Sequence, residues 1–137
     1  MNSARLARSL IFAPVLLLAA AAGWAHHSIS AQFDLFKAMD LQGVLSRVEW
    51  INPHGYLYLD VKDADGTVHT WALEAPPPSG WRRAGVATKD YFPIGQNYTV
   101  KIAPPRNNTK TGLVIGITTP EGKHISVLGQ QGISNAQ

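Results

Sequence analysis

The stretch YLYLDVKDADGTVHTWALE, residues 56–74, decides the fold. Over residues 56–62 the side chains alternate. Leu57, Leu59 and Val61 fall on one side, and Tyr56, Tyr58, Asp60 and Lys62 on the other. A period of two is the signature of a half-buried β-strand. Asp63-Ala64-Asp65-Gly66 then reads as a hairpin turn, with the glycine supplying positive φ. Residues 67–74 return as a second strand, with Trp71 and Leu73 on one face.

Upstream, Asn52-Pro53-His54-Gly55 is a turn, and residues 44–50 before it form another strand. There Val44, Val48 and Trp50 share the expected core face, while Arg47 and Glu49 point the other way. Downstream, Ala75-Pro76-Pro77-Pro78 cannot continue a central strand. Ser79 is placed to cap a short helix through Trp81, Arg82, Arg83 and Ala84, which Gly85 stops. Thr88 is placed to cap a further turn through Tyr91. Residues 97–103 form a fourth strand with Tyr98, Val100 and Ile102 on one face, and residues 104–110 a polar loop. Residues 113–118 form a fifth strand, and a last one follows near residues 124–128.

Three strands, a short helix, then two or three strands is the order of an OB-fold, a small Greek-key β-barrel. The expected class is therefore all-β with little helix, and a plain β-sandwich is the alternative. The expected organisation is a leader at residues 1–25, an N-terminal arm at 26–40, the barrel at 41–128 and a disordered tail at 129–137.

The leader reads as a secretory signal peptide. Arg5 and Arg8 precede an apolar run over residues 10–22, and Gly23 and Ala25 fit the small-residue rule for a cut after Ala25. A cut after Ala22 fits the same rule. The run is short for a membrane span, which needs about 20 residues. The chain has no cysteine, which excludes a lipid-modified cysteine and disulfide staples, and suits a bacterial periplasmic protein. Cleavage after Ala25 leaves 112 of the 137 residues, enough for one core. It also removes two of the twelve basic residues and none of the nine acids. Ten against nine offers no electrostatic footprint for nucleic acid. After cleavage nothing ties the chain to a membrane.

His26-His27-Ser28, Val48-Glu49-Trp50-Ile51-Asn52-Pro53-His54, residues 59–66 and Trp71-Ala72-Leu73-Glu74 recur in this order in one group of proteins. The chain resembles this family of short exported bacterial proteins, classed only as a domain of unknown function. The resemblance spans roughly residues 26–125. It implies an OB-like fold and an extracytoplasmic site of action, and no reaction. The triple proline at residues 76–78 departs from the family pattern.

Three groups of residues are candidates for function. Cut after Ala25, the chain begins at His26, whose free amine and imidazole can chelate one metal. His27, and His54 if the arm folds back, would complete a nitrogen-rich site suited to Cu(II). Against this stands the reading that two polar residues simply follow a cut site in solvent. Trp50, Asn52, Tyr56 and Tyr58 are candidate ligand-binding residues, because OB-folds use such strand faces and loops. Ordinary half-exposed tyrosines are the competing explanation. His69 reads as a satisfied core histidine and His124 as a surface residue.

Few enzyme arrangements are legible: there is no Gly-x-Ser-x-Gly, phosphate loop or His-Glu-x-x-His, and no residue reads as catalytic. An exported binding or accessory module, taking copper or another transition metal, ranks first. A metal-free interaction domain for a protein, peptide or envelope glycan ranks second. A small copper-dependent oxidoreductase ranks third. The partner is expected to be a protein or small ligand of the cell envelope.

Overall fold

The computed structural model describes residues 29–128. Six strands follow the expected order: β1 (Met39–Glu49), β2 (Gly55–Lys62), β3 (Val68–Ala75), β4 (Asn97–Ala103), β5 (Thr111–Thr118) and β6 (His124–Ser126). A four-residue helix α1 (Ile29–Gln32) precedes them, and α2 (Pro78–Arg83) lies between β3 and β4. The strands run β3-β2-β1-β4-β5-β6, and a parallel pairing of β3 with β5 closes the first five into a barrel. This is the OB arrangement, and the sandwich alternative falls away. β5 gives its second edge to β3 over Thr111–Leu113, and to β6 over Gly116–Thr118.

β1 is shared between both halves of the barrel. Its first half pairs with β4 and its second half with β2, and Val44 belongs to both registers. Gly43 sits at this bend. A Cβ there would lie 2.5 Å from the Asp60 carbonyl oxygen, so only glycine lets the strands approach. At the closing seam a Cβ on Gly112 would lie 2.6 Å from Ile102 Cδ1, so that side chain would have to shift.

A β-bulge between Leu45 and Arg47 corrects the simple alternation expected for β1. Leu41 and Leu45, not Val44, are buried before the bulge, while Val48 and Trp50 pack on the core after it. One extra residue switches which parity faces inward. Elsewhere the alternation holds. Leu57 and Leu59 of β2, Leu73 of β3, and Val100 and Ile102 of β4 are fully buried.

α2 seals one end of the barrel. Trp81, 1% exposed, inserts among Trp50, Phe92 and the strand residues. The helix begins at Pro78 with Pro77 as its N-cap, so Ser79 lies within the first turn and is not the cap. Proline at the first helical position presets φ and lacks an N–H that would go unpaired there, so the triple proline both ends β3 and starts α2. Gly85 follows with φ of 88°, ending the helix as its sequence position suggests.

The segment before β1 is fastened to the β4–β5 loop. Phe33, 5% exposed, bridges Pro105 and packs with Ala103, Leu113 and Ile115 in a second small core. Arg106 is the clamp. Its Nε donates to the Ser30 carbonyl at 2.9 Å, its backbone N–H to the Gln32 carbonyl at 3.0 Å, and its guanidinium lies 3.7 Å from Asp34.

Candidate functional site

The β1–β2 turn and the outer face of β1, β2 and β3 bring His54, Tyr56 and Tyr58 together. The turn contains a cis Asn52–Pro53 peptide and delivers His54 just before β2. His54 Nδ1 lies 2.8 Å from Oε1 of Glu74 on β3. The imidazole is half exposed, whereas the Glu74 side chain is only 16% exposed. An ionised carboxylate only accepts, so Nδ1 carries the hydrogen. In the neutral ring the lone pair is therefore on Nε2. Glu74 was not singled out from the sequence. It stands twenty positions from His54, and only the pairing of β2 with β3 brings it beside the turn.

Glu74, Tyr56 and Glu49 occupy one cross-strand row, Glu49 opposite Tyr56 and Tyr56 opposite Glu74. Burial raises the Tyr56 phenol above its ordinary value of 10.0, and the negative fields of Glu74, Tyr58 and Glu49 add to it. The Tyr56 hydroxyl has no hydrogen-bond partner among the described residues. The neighbouring row is more committed. Tyr58 donates its hydroxyl to Glu49 Oε1 at 3.2 Å, and Arg47 reaches the same oxygen at 3.3 Å. The Arg47 guanidinium also lies 3.7 Å from the centre of the Tyr58 ring, covering one of its faces. Tyr56 and Tyr58 are 6.4 Å apart and tilted by 36°. Together they form an edge of polar aromatics, with one ring face of Tyr58 already occupied.

Trp50 and Asn52 do not join this group. Trp50 stacks on Trp81 at 6.1 Å and belongs to the core. Asn52 is exposed in the turn. His26 and His27 lie outside the described residues. His69 is not a core histidine. It sits beside the turn of the β2–β3 hairpin, opposite Val61, with Nε2 3.1 Å from Asp63 and its side chain 39% exposed. His124 is exposed in β6, with Nδ1 3.2 Å from the Thr118 hydroxyl.

Beside His54 and Glu74 opens a cleft of about 460 Å³. Pro76 and Pro77 form part of one wall, Arg83 of α2 another, and Val127 and Leu128 a third. Ile29 and Leu128, the first and last described residues, both line it. The start of α1 and the segment after β6 thus meet at the cleft that holds the His54–Glu74 pair.

Among the described residues no group of three or more His, Cys, Asp or Glu side chains could hold a metal ion. His54 is therefore at most one ligand of a site completed from elsewhere. No helix among the described residues is long and apolar enough to cross a membrane. No curated protein and no solved structure matches the chain. A family model does, over residues 14–115, which is most of the chain, and the chain belongs to that family, DUF6152, a family of unknown function.

Proposed function

We propose that the protein is an exported accessory module that binds copper, or another transition metal, through His26, His27 and His54. The observation that carries this reading is the His54–Glu74 pair. Metal-ligating histidines characteristically donate their second ring N–H to a carboxylate, which fixes the tautomer and makes the free nitrogen more basic. His54 has this arrangement, with Nε2 as the available nitrogen. The placement of Ile29 adds support, because it lines the same cleft as His54. His26 is three residues before Ile29, within roughly 10 Å of extended chain. An amine and imidazole from His26, with His27 and His54, give a nitrogen-rich set that favours Cu(II).

The test is a Cu(II) titration of mature protein purified from the periplasm, with intact mass and electron paramagnetic resonance on the same sample. The expected result is a mass beginning at His26, one tight nitrogen-ligated copper, and a weaker, altered site in His54→Ala. A protein that begins at His26 and binds no copper tightly would sink the metal reading. Turnover of a reductant with oxygen by the copper-loaded protein would be needed before an oxidoreductase is entertained.

The second reading is a metal-free interaction domain using the Tyr56 and Tyr58 face. It is favoured by the Tyr56 hydroxyl between Glu49 and Glu74, which has no partner among the described residues and is placed to bond a ligand hydroxyl or amide. It predicts a Tyr56→Phe variant that loses partner capture from envelope extracts while its copper titration is unchanged.

A further inference from the structure

The cleft beside His54 has one charge that no described residue balances. Arg83, the last residue of α2, is exposed and has no ion pair or hydrogen bond among the described residues. Glu74, also in the wall, is held by His54 at 2.8 Å. The remaining surface is mostly apolar: Pro76 and Pro77 on one side, Val127 and Leu128 on the other, with Leu113 and Val114 also contributing.

We propose that this cleft binds a small organic monoanion, a carboxylate on a compact apolar body. The carboxylate pairs with the Arg83 guanidinium, which presents the planar fork suited to carboxylate geometry. The body displaces water from Pro76, Pro77, Val127 and Leu128. The observations limit the ligand on three sides. A cation would meet Arg83. A polyanion would set its second charge against Glu74, with no further unpaired cation among the described residues that line the cleft. A ligand without an apolar part would leave the walls wet. A volume of about 460 Å³ lies within the range of small-molecule sites and accommodates a medium-chain or aromatic acid. This inference does not depend on any metal.

The experiment uses octanoate as the probe, below its micellar concentration, on the full mature protein. Titration is followed by calorimetry and by amide chemical shifts, with octanol and acetate as comparison ligands. The expected result is saturable one-to-one binding of octanoate, at least tenfold tighter than either comparison, with shifts at Val127 and Leu128. Arg83→Gln weakens octanoate by roughly 10–100-fold, the range for losing a charge-assisted hydrogen bond. Arg82→Gln, one position away and outside the cleft wall, leaves affinity unchanged. Val127→Glu, which sets a like charge in the wall, weakens binding as well. Equal affinity for octanol, or equal loss in the Arg82 and Arg83 variants, overturns the proposal. Absence of saturable binding also overturns it, and makes the chain's own residues 129–137, which leave from Leu128, the occupant to examine.

Discussion

The indole of Trp50 stacks on that of Trp81, with ring centroids 6.1 Å apart and planes 12° from parallel. Trp50 leads directly into the turn that carries His54, and Trp81 lies on the helix that carries Arg83. The stack therefore braces two walls of the cleft against each other. Trp81 is also in edge contact with Phe92, which is itself buried. Trp81→Ala is expected to destabilise the fold by about 3–5 kcal/mol. Trp50→Leu, which keeps apolar bulk and loses the stack, is expected to cost about 0.5–1.5 kcal/mol. Urea unfolding of both variants checks the order. Equal losses would mean that the stack, and not the burial of Trp81, dominates.

Glu74 holds His54 by Nδ1, so its charge matters to any ligand that His54 accepts through Nε2. Glu74→Gln keeps the shape and removes the charge. Copper affinity of the mature protein is expected to fall roughly 10–100-fold, the usual effect of losing a carboxylate behind a metal-bound histidine. Unchanged affinity in a variant with unaltered stability would remove the pair from the proposed metal site.

Arg106 fixes the segment that precedes β1 by its Nε bond to Ser30 and its contact with Asp34. Arg106→Ala keeps the backbone bond to Gln32 and loses these two. The loss in global stability is expected to be small, about 1 kcal/mol, because the bonds are exposed. Hydrogen exchange is expected to quicken at Phe33 and Asp34 and to stay slow at Val100 and Ile102 in the barrel. Uniform acceleration would show that the segment is an integral part of the barrel and not a clamped arm.

Alkaline stability follows from two phenols, Tyr98 buried and Tyr56 partly buried. Tyr56 and Tyr98 are both raised above 10.0, each chiefly by burial, with Glu74 adding at Tyr56 and Glu121 at Tyr98. The unfolded chain ionises these groups at ordinary values, so it releases protons that the folded chain retains. Their contribution is fully present below about pH 10 and is lost as pH rises through the folded values. Tyr56→Phe removes one such group, and the alkaline fall in urea midpoint should become shallower. An identical fall in the variant would assign the whole effect to other groups.

The barrel's strand content was legible because alternation is a local property. Residues 57, 59 and 61, or 98, 100 and 102, reveal their face without knowledge of any neighbour. The helix between β3 and β4 was legible for a similar reason, since three prolines and Gly85 are punctuation within one short stretch. β1 was misread at its centre because the bulge depends on how the strand bends to serve both β2 and β4. His69 was misread because parity gives a side and not a depth. It lies on the inward side of β3, but near the hairpin end, where Asp63 and solvent meet it.

The sequence by itself determined the class of fold, the order of its elements and the prominence of His54, Tyr56 and Tyr58. Tertiary structure alone decided the company that those residues keep. Glu74 meets His54, Arg47 covers Tyr58, and Ile29, Arg83 and Leu128 share one cleft, through pairings and packing that join distant parts of the chain. Such contacts are set by sheet register, barrel closure and helix packing, which depend on the whole chain at once. Periodicity within a strand is steric and local, and can be read from a few residues.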